Sequence, residues 1–335
     1  MTYEDLFNRL LILRTPNIGP VRYHKLINQY GNVGEVVTVL KPSDAVVNSV
    51  KREIELANKL GVFYLSDDME EYPALLRDIK NHPPLLSVRG NKKALLKKSV
   101  SMVGTRHATI VGMNFIADLA QKFSAENYVV VSGMAMGTDA AAHRGALRTV
   151  GDSQTIAVLA GGVDYIWPLE NESLYWEIVE RGAVVSEMPV GFVPAASNFV
   201  IRNRLIAWLG QKLILGEADL NSGSMKTAEF SYESNREIWA IPSHPTDSRS
   251  FGPNSLIKSG RAKLCTGPQD FFDSKKNCKK IESDNLLLDA LGTIPVSESV
   301  LSEIVKKSIS EIKQELVILE LQGLVRKVDG GYIRL

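Results

Sequence analysis

Short apolar runs alternate with longer helical stretches from Ser99 onward. Most of the runs are rich in β-branched residues, and they are SVSMV (99–103), YVVVS (128–132), TIAVL (155–159), AVVS (183–186), KLILG (212–216), EIWAI (237–241) and AKLC (262–265). Continuous apolar strands separated by helices are typical of a parallel sheet that is covered on both faces. The pattern therefore predicts an α/β fold built on an extended, Rossmann-like, doubly wound parallel sheet.

Residues 1–65 have the pattern of a small helical domain. A turn at Ile18-Gly19-Pro20 precedes the apolar positions Val21, Leu26 and Ile27 of an amphipathic stretch. This arrangement resembles a helix-hairpin-helix or SAM-like module, which either binds the DNA backbone through its turn amides or serves only to pack. The next stretch, 66–95, is rich in proline and turn-forming residues, so it predicts a structured connector that leads the 66–272 domain.

The tail, residues 273–335, has the layout of a linker and a winged helix. A lysine-bearing polar stretch, DSKKNCKK, precedes three predicted helices, and Gly323 follows the last of them. A hairpin with its turn at 329–331 then ends the pattern. The candidate recognition helix, SISEIKQELVILELQG, contains one lysine and three glutamates. This charge suits contact with a protein better than insertion into duplex DNA.

Composition excludes some broad classes and leaves others open. The chain has 335 residues and a formal net charge of +1, so a nucleic-acid site would have to come from local clustering of basic residues. Arg9 and Arg14 interrupt the apolar N-terminal run, so no signal peptide or membrane span is predicted. Cys265 and Cys278 have neither metal-ligand nor disulfide spacing. We expect a cytoplasmic protein without a cofactor or metal.

Glycine and small polar residues follow several predicted strands. Gly104 and Arg106 come after the first strand, Ser132 and Gly133 after the second, and NSGS (221–224) after the fifth. Glycine allows close approach of a ligand to the backbone, and helix N-termini present free N–H groups to anions. None of these loops is a dinucleotide-binding GxGxxG or a GxxxxGK[ST] phosphate loop. Together they predict a phosphate-binding edge of the sheet.

A basic cluster lies in SNFVIRNRLIAWLG, residues 197–210, at the predicted entrance of a helix. Arg202 and Arg204 are expected to contact phosphates together with Arg106 across a groove. One guanidinium group can donate two parallel hydrogen bonds to the oxygens of a phosphate. Asn203 is expected to hold the turn. The alternative is that one of the arginines braces the domain through a carboxylate such as Glu187 or Glu217.

Seven motifs in order make the chain resemble the DNA-processing protein A family (DprA, also called Smf). They are VGTR, VVSGMAMGTDAAAHRGAL, TIAVLAGGVDYIWPLEN, SEMPVG, NFVIRNRLIA, EADLNSGSMKTA and LIKSG. The resemblance implies a protein that binds single-stranded DNA in a basic pocket of its Rossmann-like domain. It also implies protection of incoming DNA during natural transformation, loading of the RecA recombinase, and a homodimer formed through the same domain.

The motifs imply a set of DNA-binding residues in this chain. They are Gly104, Arg106, Ser132, Gly133, Arg202, Asn203, Arg204, Ser222, Gly223, Ser224, Thr227 and Lys258. Helix capping is the alternative role for Ser224 and Thr227, and a solvated surface charge is the alternative for Lys258. The chain departs from the family pattern at Leu169, Asn235, Ser243 and Arg261.

A nucleotide-binding or nucleotide-hydrolysing Rossmann enzyme related to phosphoribohydrolases is the alternative function. That enzyme type carries PGGxGTxxE, whereas this chain has NSGSMKTAE, which ends at Glu229, in the comparable place. Glu187 and Glu217 are the acid or base candidates. Asp139 and His143 share a helix face, but two side chains do not make a metal site, so we expect them to form a hydrogen bond. The predicted function is therefore not enzymatic.

Overall fold

The computed structural model describes residues 1–151, 154–272, 285–292 and 294–334. The chain divides into two compact units, residues 1–272 and 273–335, and each is described by itself. The predicted linker at 273–280, with Cys278, lies outside the described residues. In the described parts of the chain, no helix is both long and apolar enough to cross a bilayer.

Four helices form the N-terminal region, and their sequence explains their ends. They are α1 Tyr3–Arg14, α2 Pro20–Tyr30, α3 Val33–Leu40 and α4 Asp44–Lys59. The Thr2 hydroxyl caps α1 by accepting the Asp5 N–H at 3.1 Å. α2 begins at Pro20, directly after the predicted turn. Proline suits this position because it lacks the backbone N–H, which would have no acceptor at the start of a helix. Leu10, Leu11, Val50 and Ile54 pack in the same apolar cluster as residues of the sheet domain.

The described residues of the larger unit form one nine-stranded sheet in the order β1-β2-β6-β5-β4-β3-β7-β8-β9. The strands are β1 Phe63–Ser66, β2 Leu85–Gly90, β3 Ser99–Val103, β4 Val129–Ser132, β5 Thr155–Val158, β6 Ala183–Ser186, β7 Lys212–Leu215, β8 Glu237–Ala240 and β9 Lys263–Leu264. Along the sheet, all neighbours in the run β6-β5-β4-β3-β7-β8-β9 pair in parallel. Every residue of β3 to β6 is buried, which accounts for their continuous apolar sequence. The predicted doubly wound fold is confirmed.

The connector contains strands that the sequence pattern did not predict. β2 pairs antiparallel with β6, and β1 pairs antiparallel with β2, so the two strands extend one edge of the sheet. β1 spans the predicted boundary at residue 65, and the division of residues 1–272 at that point stays a prediction. The helices that follow the N-terminal four are α5 Ala74–Arg77, α6 Ile110–Ala125, α7 Thr138–Leu147, α8 Glu172–Arg181, α9 Ala196–Leu209, α10 Gly223–Glu233, α11 Phe251–Lys258 and α12 Gln269–Phe272.

The described part of the tail is a winged helix, as predicted. Its elements are α13 Leu286–Asp289, α14 Glu298–Val305, α15 Ile309–Leu321, β10 Val325–Val328 and β11 Gly331–Arg334. A capping box between Ser308 and Glu311 begins α15, and Gly323 follows its end with a φ of 71°. Leu301, Ile312 and Leu316 are fully buried between the helices and the hairpin.

Candidate nucleic-acid interface

A cleft of about 520 Å³ opens beyond the carboxyl end of β3, between α9 and the start of α10. This is the edge at which open α/β sheets bind ligands. The predicted site residues that line the cleft come from three segments, and they are Gly104, Arg106, Arg202, Asn203, Ser222, Gly223, Ser224 and Thr227. Their DNA-binding roles stay predictions, but the structure brings these residues together.

Arg106 is an exposed cation at the cleft. Its guanidinium carbon lies 4.8 Å from the centre of the Trp167 ring, and Trp167 meets Phe199 edge to face at 4.7 Å between ring centroids. In the described part of the chain, Arg106 forms no ion pair with a carboxylate. The cleft therefore combines an uncompensated positive charge with two partly exposed aromatic rings.

The backbone beneath Arg106 is held by the start of α7. The Thr138 N–H and hydroxyl both donate to the carbonyl oxygen of Thr105, at 3.2 Å each. Gly137 has a φ of 70°, and a Cβ on it would lie 2.5 Å from the carbonyl oxygens of Thr105 and Arg106. Only glycine combines this conformation with this contact, so the first loop is fixed by packing as well as by hydrogen bonds.

The N-terminus of α10 points its first turn into the cleft. Ser222 is at the cap position, but its side chain makes no capping hydrogen bond and lies 3.2 Å from the Ser224 hydroxyl instead. Thr227 bonds back to the Gly223 carbonyl at 3.4 Å. A helix start without a side-chain cap keeps backbone N–H groups for an anion, and its dipole adds positive potential. Capping alone therefore does not explain Ser224.

Arg202 lies at the base of the cleft and is only 7% exposed. Its Nη1 donates to the carbonyl oxygens of Gly133, at 2.7 Å, and of Val158. Asp139 lies beside it and accepts the backbone N–H of Gly133 at 3.2 Å. Burial lowers the pKa of Arg202 and raises that of Asp139, and the opposite charge of each partner counteracts the effect. Arg202 is thus a buried positive charge under the floor of the cleft, and its side chain is not exposed for direct contact with a ligand.

Two predicted residues support the cleft rather than facing its opening. Asn203 donates from Nδ2 to the Gly223 carbonyl at 3.1 Å, so it ties α9 to the start of α10. Gly133 is buried, and a Cβ on it would lie 2.8 Å from Asp139 Oδ2 and 2.9 Å from the Arg202 guanidinium. Gly133 therefore leaves the space that this charged pair occupies.

The prediction that the arginines stand at a helix entrance is wrong. α9 begins at Ala196, where the Asn198 side chain accepts the Ala195 N–H at 2.8 Å. Arg202 and Arg204 therefore lie within the helix, and two residues separate side chains by about 200° around its axis. Arg204 points away from the cleft lining, forms an ion pair with Glu187, and lies 4.9 Å from the centre of the Trp208 ring. This is the bracing arrangement that the sequence left as the alternative.

Ser132 and Lys258 also lie outside the cleft lining. Ser132 is completely buried, and its hydroxyl donates to the Met102 carbonyl at 2.6 Å, so it links β4 to β3. Lys258 is the exposed last residue of α11. For these two positions the geometry favours a structural residue and a surface charge, respectively.

The carboxylates considered for catalysis have other partners. Glu217 accepts the N–H of Thr109, the residue that caps α6, at 2.7 Å, and Glu187 pairs with Arg204. Glu229 is exposed and pairs with Lys226 at 2.8 Å. The predicted hydrogen bond between Asp139 and His143 is wrong, because the His143 ring contacts the Thr155 hydroxyl at 2.7 Å. Burial lowers the pKa of His143 to about 3, so this histidine is a neutral core residue.

Trp167 and Phe199 are the cleft residues that the sequence reasoning missed. Both lie within motifs that the sequence analysis quoted, YIWPLEN and NFVIRNR. An aromatic residue in a motif next to a predicted phosphate-binding loop was the signal that could have identified them.

Of the departures from the family pattern, Asn235 has a φ of 56°, a conformation that glycine adopts readily and asparagine tolerates. Leu169 is 72% exposed. The Arg261 guanidinium carbon lies 5.3 Å from the centre of the Tyr232 ring.

Three family descriptions match successive parts of the chain. Residues 63–276 match the DNA recombination-mediator protein A family, 3–59 a DprA-like N-terminal HHH domain, and 282–331 a DprA winged helix domain. The Smf protein of Synechocystis sp. is 35% identical over 70% of this chain, and the match spans 55% of that relative's length.

Two solved structures share the fold at comparable identity. The X-ray structure of DNA processing protein A from Streptococcus pneumoniae has a TM-score of 0.69 and 30% identity, and it covers 81% of this chain and 98% of its own. The structure of DNA processing protein A from Helicobacter pylori, described by its single-stranded DNA binding mode, has a TM-score of 0.58 and 29% identity. It covers 63% of this chain and 94% of its own.

Proposed function

Because the chain belongs to the DNA recombination-mediator protein A family, a family of DNA-processing proteins, we propose that it binds single-stranded DNA in the cleft beyond β3. The observation that carries the proposal is the position of Arg106. It is an exposed cation without an ion-pair partner in the described chain, beside Trp167 and opposite the uncapped start of α10. Phosphates would lie between Arg106 and the α10 amides.

The aromatic pair favours single strands over duplex. Trp167 and Phe199 offer ring surfaces on which an unpaired base can stack, and such stacking accepts any base. Bases within a duplex already stack on their neighbours and are not available to these rings. Arg202 adds a positive potential from below, and Asn203 holds the two walls together. The mechanism is positional, with phosphate contacts for affinity and little base readout.

Fluorescence anisotropy with a labelled oligothymidylate and a blunt duplex of equal length tests this function. We expect tighter binding of the single strand, with an affinity that falls as salt rises because phosphate contacts release counterions. Equal affinity for the two probes, or no binding at low salt, would contradict the proposal.

Catalysis on nucleotides is the competing function. Asp139 is the carboxylate in the cleft lining, but it accepts backbone N–H groups and lies beside Arg202. Glu187, Glu217 and Glu229 have the partners described above. We therefore expect no release of base or phosphate when the purified protein is incubated with nucleoside monophosphates. Turnover that survives purification and is lost in Asp139→Asn would favour the enzyme instead.

We further infer that the chain acts in homologous recombination during natural transformation. In this role it would protect incoming strands as a cytoplasmic homodimer and load RecA onto them. The family description as a recombination mediator supports this role. RecA filament assembly on DNA covered by single-strand-binding protein should accelerate when the chain is added. Sedimentation should give the mass of two chains. An unchanged RecA lag with tight DNA binding would limit the function to DNA binding.

A further inference from the structure

Two histidines and an aspartate converge where the N-terminal helices meet the sheet domain, away from the cleft. His24 lies on α2, Asp67 follows β1, and His82 precedes β2. His82 Nε2 is 3.3 Å and His24 Nδ1 is 3.8 Å from the same oxygen, Asp67 Oδ2. One potential ligand atom from each residue lies within 4.8 Å of the others. All three side chains are between 17% and 24% exposed, so a small ion and water can reach them.

The remaining ring nitrogens define the protonation of both histidines. His24 Nε2 is 2.9 Å from the His82 carbonyl, and His82 Nδ1 is 2.9 Å from the Ile79 carbonyl. A carbonyl oxygen only accepts, so these two nitrogens carry the protons. With one proton on each ring, the lone pairs of His24 Nδ1 and His82 Nε2 face Asp67. A second proton on His82 lets Nε2 donate to Asp67 instead, and this hydrogen bond raises the pKa of His82. Histidines that bind metals are oriented in this way, by donating their other N–H to a backbone carbonyl.

Two lone pairs and a carboxylate oxygen repel one another unless a proton or a metal ion lies between them. The guanidinium groups nearby do not supply that positive charge. Arg9 approaches the other oxygen of Asp67 at 3.6 Å and also pairs with Asp5 and Asp68. Arg77 donates to the backbone carbonyls of Asp67 and Met69. Three carboxylates therefore face two guanidinium groups, and the side of Asp67 that faces the histidines has no guanidinium partner in the described chain.

We propose that His24, Asp67 and His82 bind a zinc ion, with water as a further ligand. Two imidazoles and one carboxylate are a ligand set that zinc favours. Zinc bonds of about 2.0–2.2 Å place tetrahedral ligand atoms ~3.3–3.5 Å apart, and the two distances to Asp67, 3.3 and 3.8 Å, are close to this range. The two histidine nitrogens lie within 4.8 Å of each other, and zinc would bring them closer together. The ion would connect α2 to the segment between β1 and β2, and so fasten the helical region to the sheet edge.

Zinc titration of the full-length protein tests the site. The protein is first treated with EDTA to remove bound metal, and the EDTA is then removed by dialysis. Calorimetry with zinc chloride should give one ion per chain, and zinc should raise the melting temperature. His24→Ala and His82→Ala should each weaken binding by at least about a hundredfold, since loss of even a supporting residue costs about tenfold to a hundredfold. His244→Ala is the control, because His244 is exposed and its ring contacts only its neighbour Thr246 in the described chain.

Melting without zinc separates a folding defect from loss of the ligand. If the variants melt cooperatively but no longer respond to zinc, the site is supported even where their basal stability falls. Zinc binding that is unchanged in both variants overturns the proposal. So does a wild-type protein that takes up no zinc, because the cation between the histidines is then a proton. Metal content and melting are read without DNA, so this result is independent of the proposed function.

Discussion

The cleft and the candidate recognition helix α15 use their cations in opposite ways. At the cleft, Arg106 is exposed without an ion pair in the described chain, and the first turn of α10 is uncapped. On α15, Lys313 pairs with Glu298 at 3.3 Å, and Lys307 of the preceding turn pairs with Glu315. Both the excess of glutamate on α15 and the pairing of its lysine distinguish it from the cleft. Elsewhere in the winged helix, Lys306, Arg326 and Lys327 are exposed without a carboxylate partner in the described residues.

Within one helix, two arginines that both have a carboxylate nearby differ in whether they lie at the cleft. Arg202 and Arg204 both belong to α9, but Arg202 lies under the cleft and Arg204 pairs with Glu187, whose side chain is 13% exposed. The comparison therefore predicts binding defects from uncompensated cations and stability defects from paired ones. The variants below test that division, beginning with the largest expected effect.

Arg204→Met should destabilise the fold by about 3–5 kcal/mol, because Glu187 would remain buried without its partner. Urea unfolding measures the loss. The double variant Arg204→Met with Glu187→Leu should recover most of it, since an apolar pair carries no buried charge. The salt dependence of DNA binding should not change in either variant. Normal stability with weaker binding would instead make Arg204 a phosphate ligand.

Arg106→Ala should weaken single-strand binding by about tenfold to a hundredfold, the usual range for a charged hydrogen bond of ~1.5–3 kcal/mol. The slope of log affinity against log salt should fall in magnitude by ~0.7 for one lost phosphate contact. The melting temperature should stay constant. Arg148→Ala is the matched control, because Arg148 is exposed, pairs with Asp118 and lies outside the cleft lining. If both variants bind alike, Arg106 is not a special contact.

Trp167→Ala should cost about 1–3 kcal/mol of binding free energy through lost base stacking. Its salt slope should match the wild type, because no phosphate contact is removed. This pattern separates it from Arg106→Ala. Trp176→Ala serves as the control, since Trp176 is 46% exposed and has the Arg89 guanidinium 4.7 Å from its ring centre, but lies outside the cleft lining. A reduced salt slope in Trp167→Ala would show that the ring mainly positions Arg106.

Deletion of residues 274–335 should leave single-strand affinity and its salt slope unchanged. The reason is that glutamates outnumber lysines on α15 and that Lys307 and Lys313 already pair with glutamates. Anisotropy of the shortened and full-length chains measures the difference at several salt concentrations. Loss of most of the affinity would show that the winged helix itself binds DNA.

The central strands could be predicted because both faces of β3 to β6 are buried, which makes each an unbroken apolar run. β1 and β2 could not, because their residues stand among prolines and turn formers. β2 is a strand because it pairs with β6, some ninety residues further along the chain, and β1 is a strand because it pairs with β2. A local pattern holds no information on that partner.

The loops of the site could be predicted from glycine and small polar residues, but side-chain directions could not. Whether Arg202 or Arg204 faces the cleft depends on where α9 begins, and Ala195 is a weak cap that gave no signal. The contact between His24 and His82 was likewise invisible, because fifty-eight residues separate them and neither lies in a spaced metal motif.

Gly137 fixes the backbone of Arg106 within the protein itself. In the proposed function, the protein would therefore have little ordering left to do, and most of the entropy lost on association would belong to the nucleic acid. Strands that are already unstacked lose only this entropy, whereas stacked strands must also lose the favourable contacts between neighbouring bases. The cleft should accordingly prefer oligothymidylate to oligodeoxyadenylate without reading a single base edge. Such a bias would originate in the flexibility of the ligand, so its size should shrink as the temperature rises and adenine stacks melt.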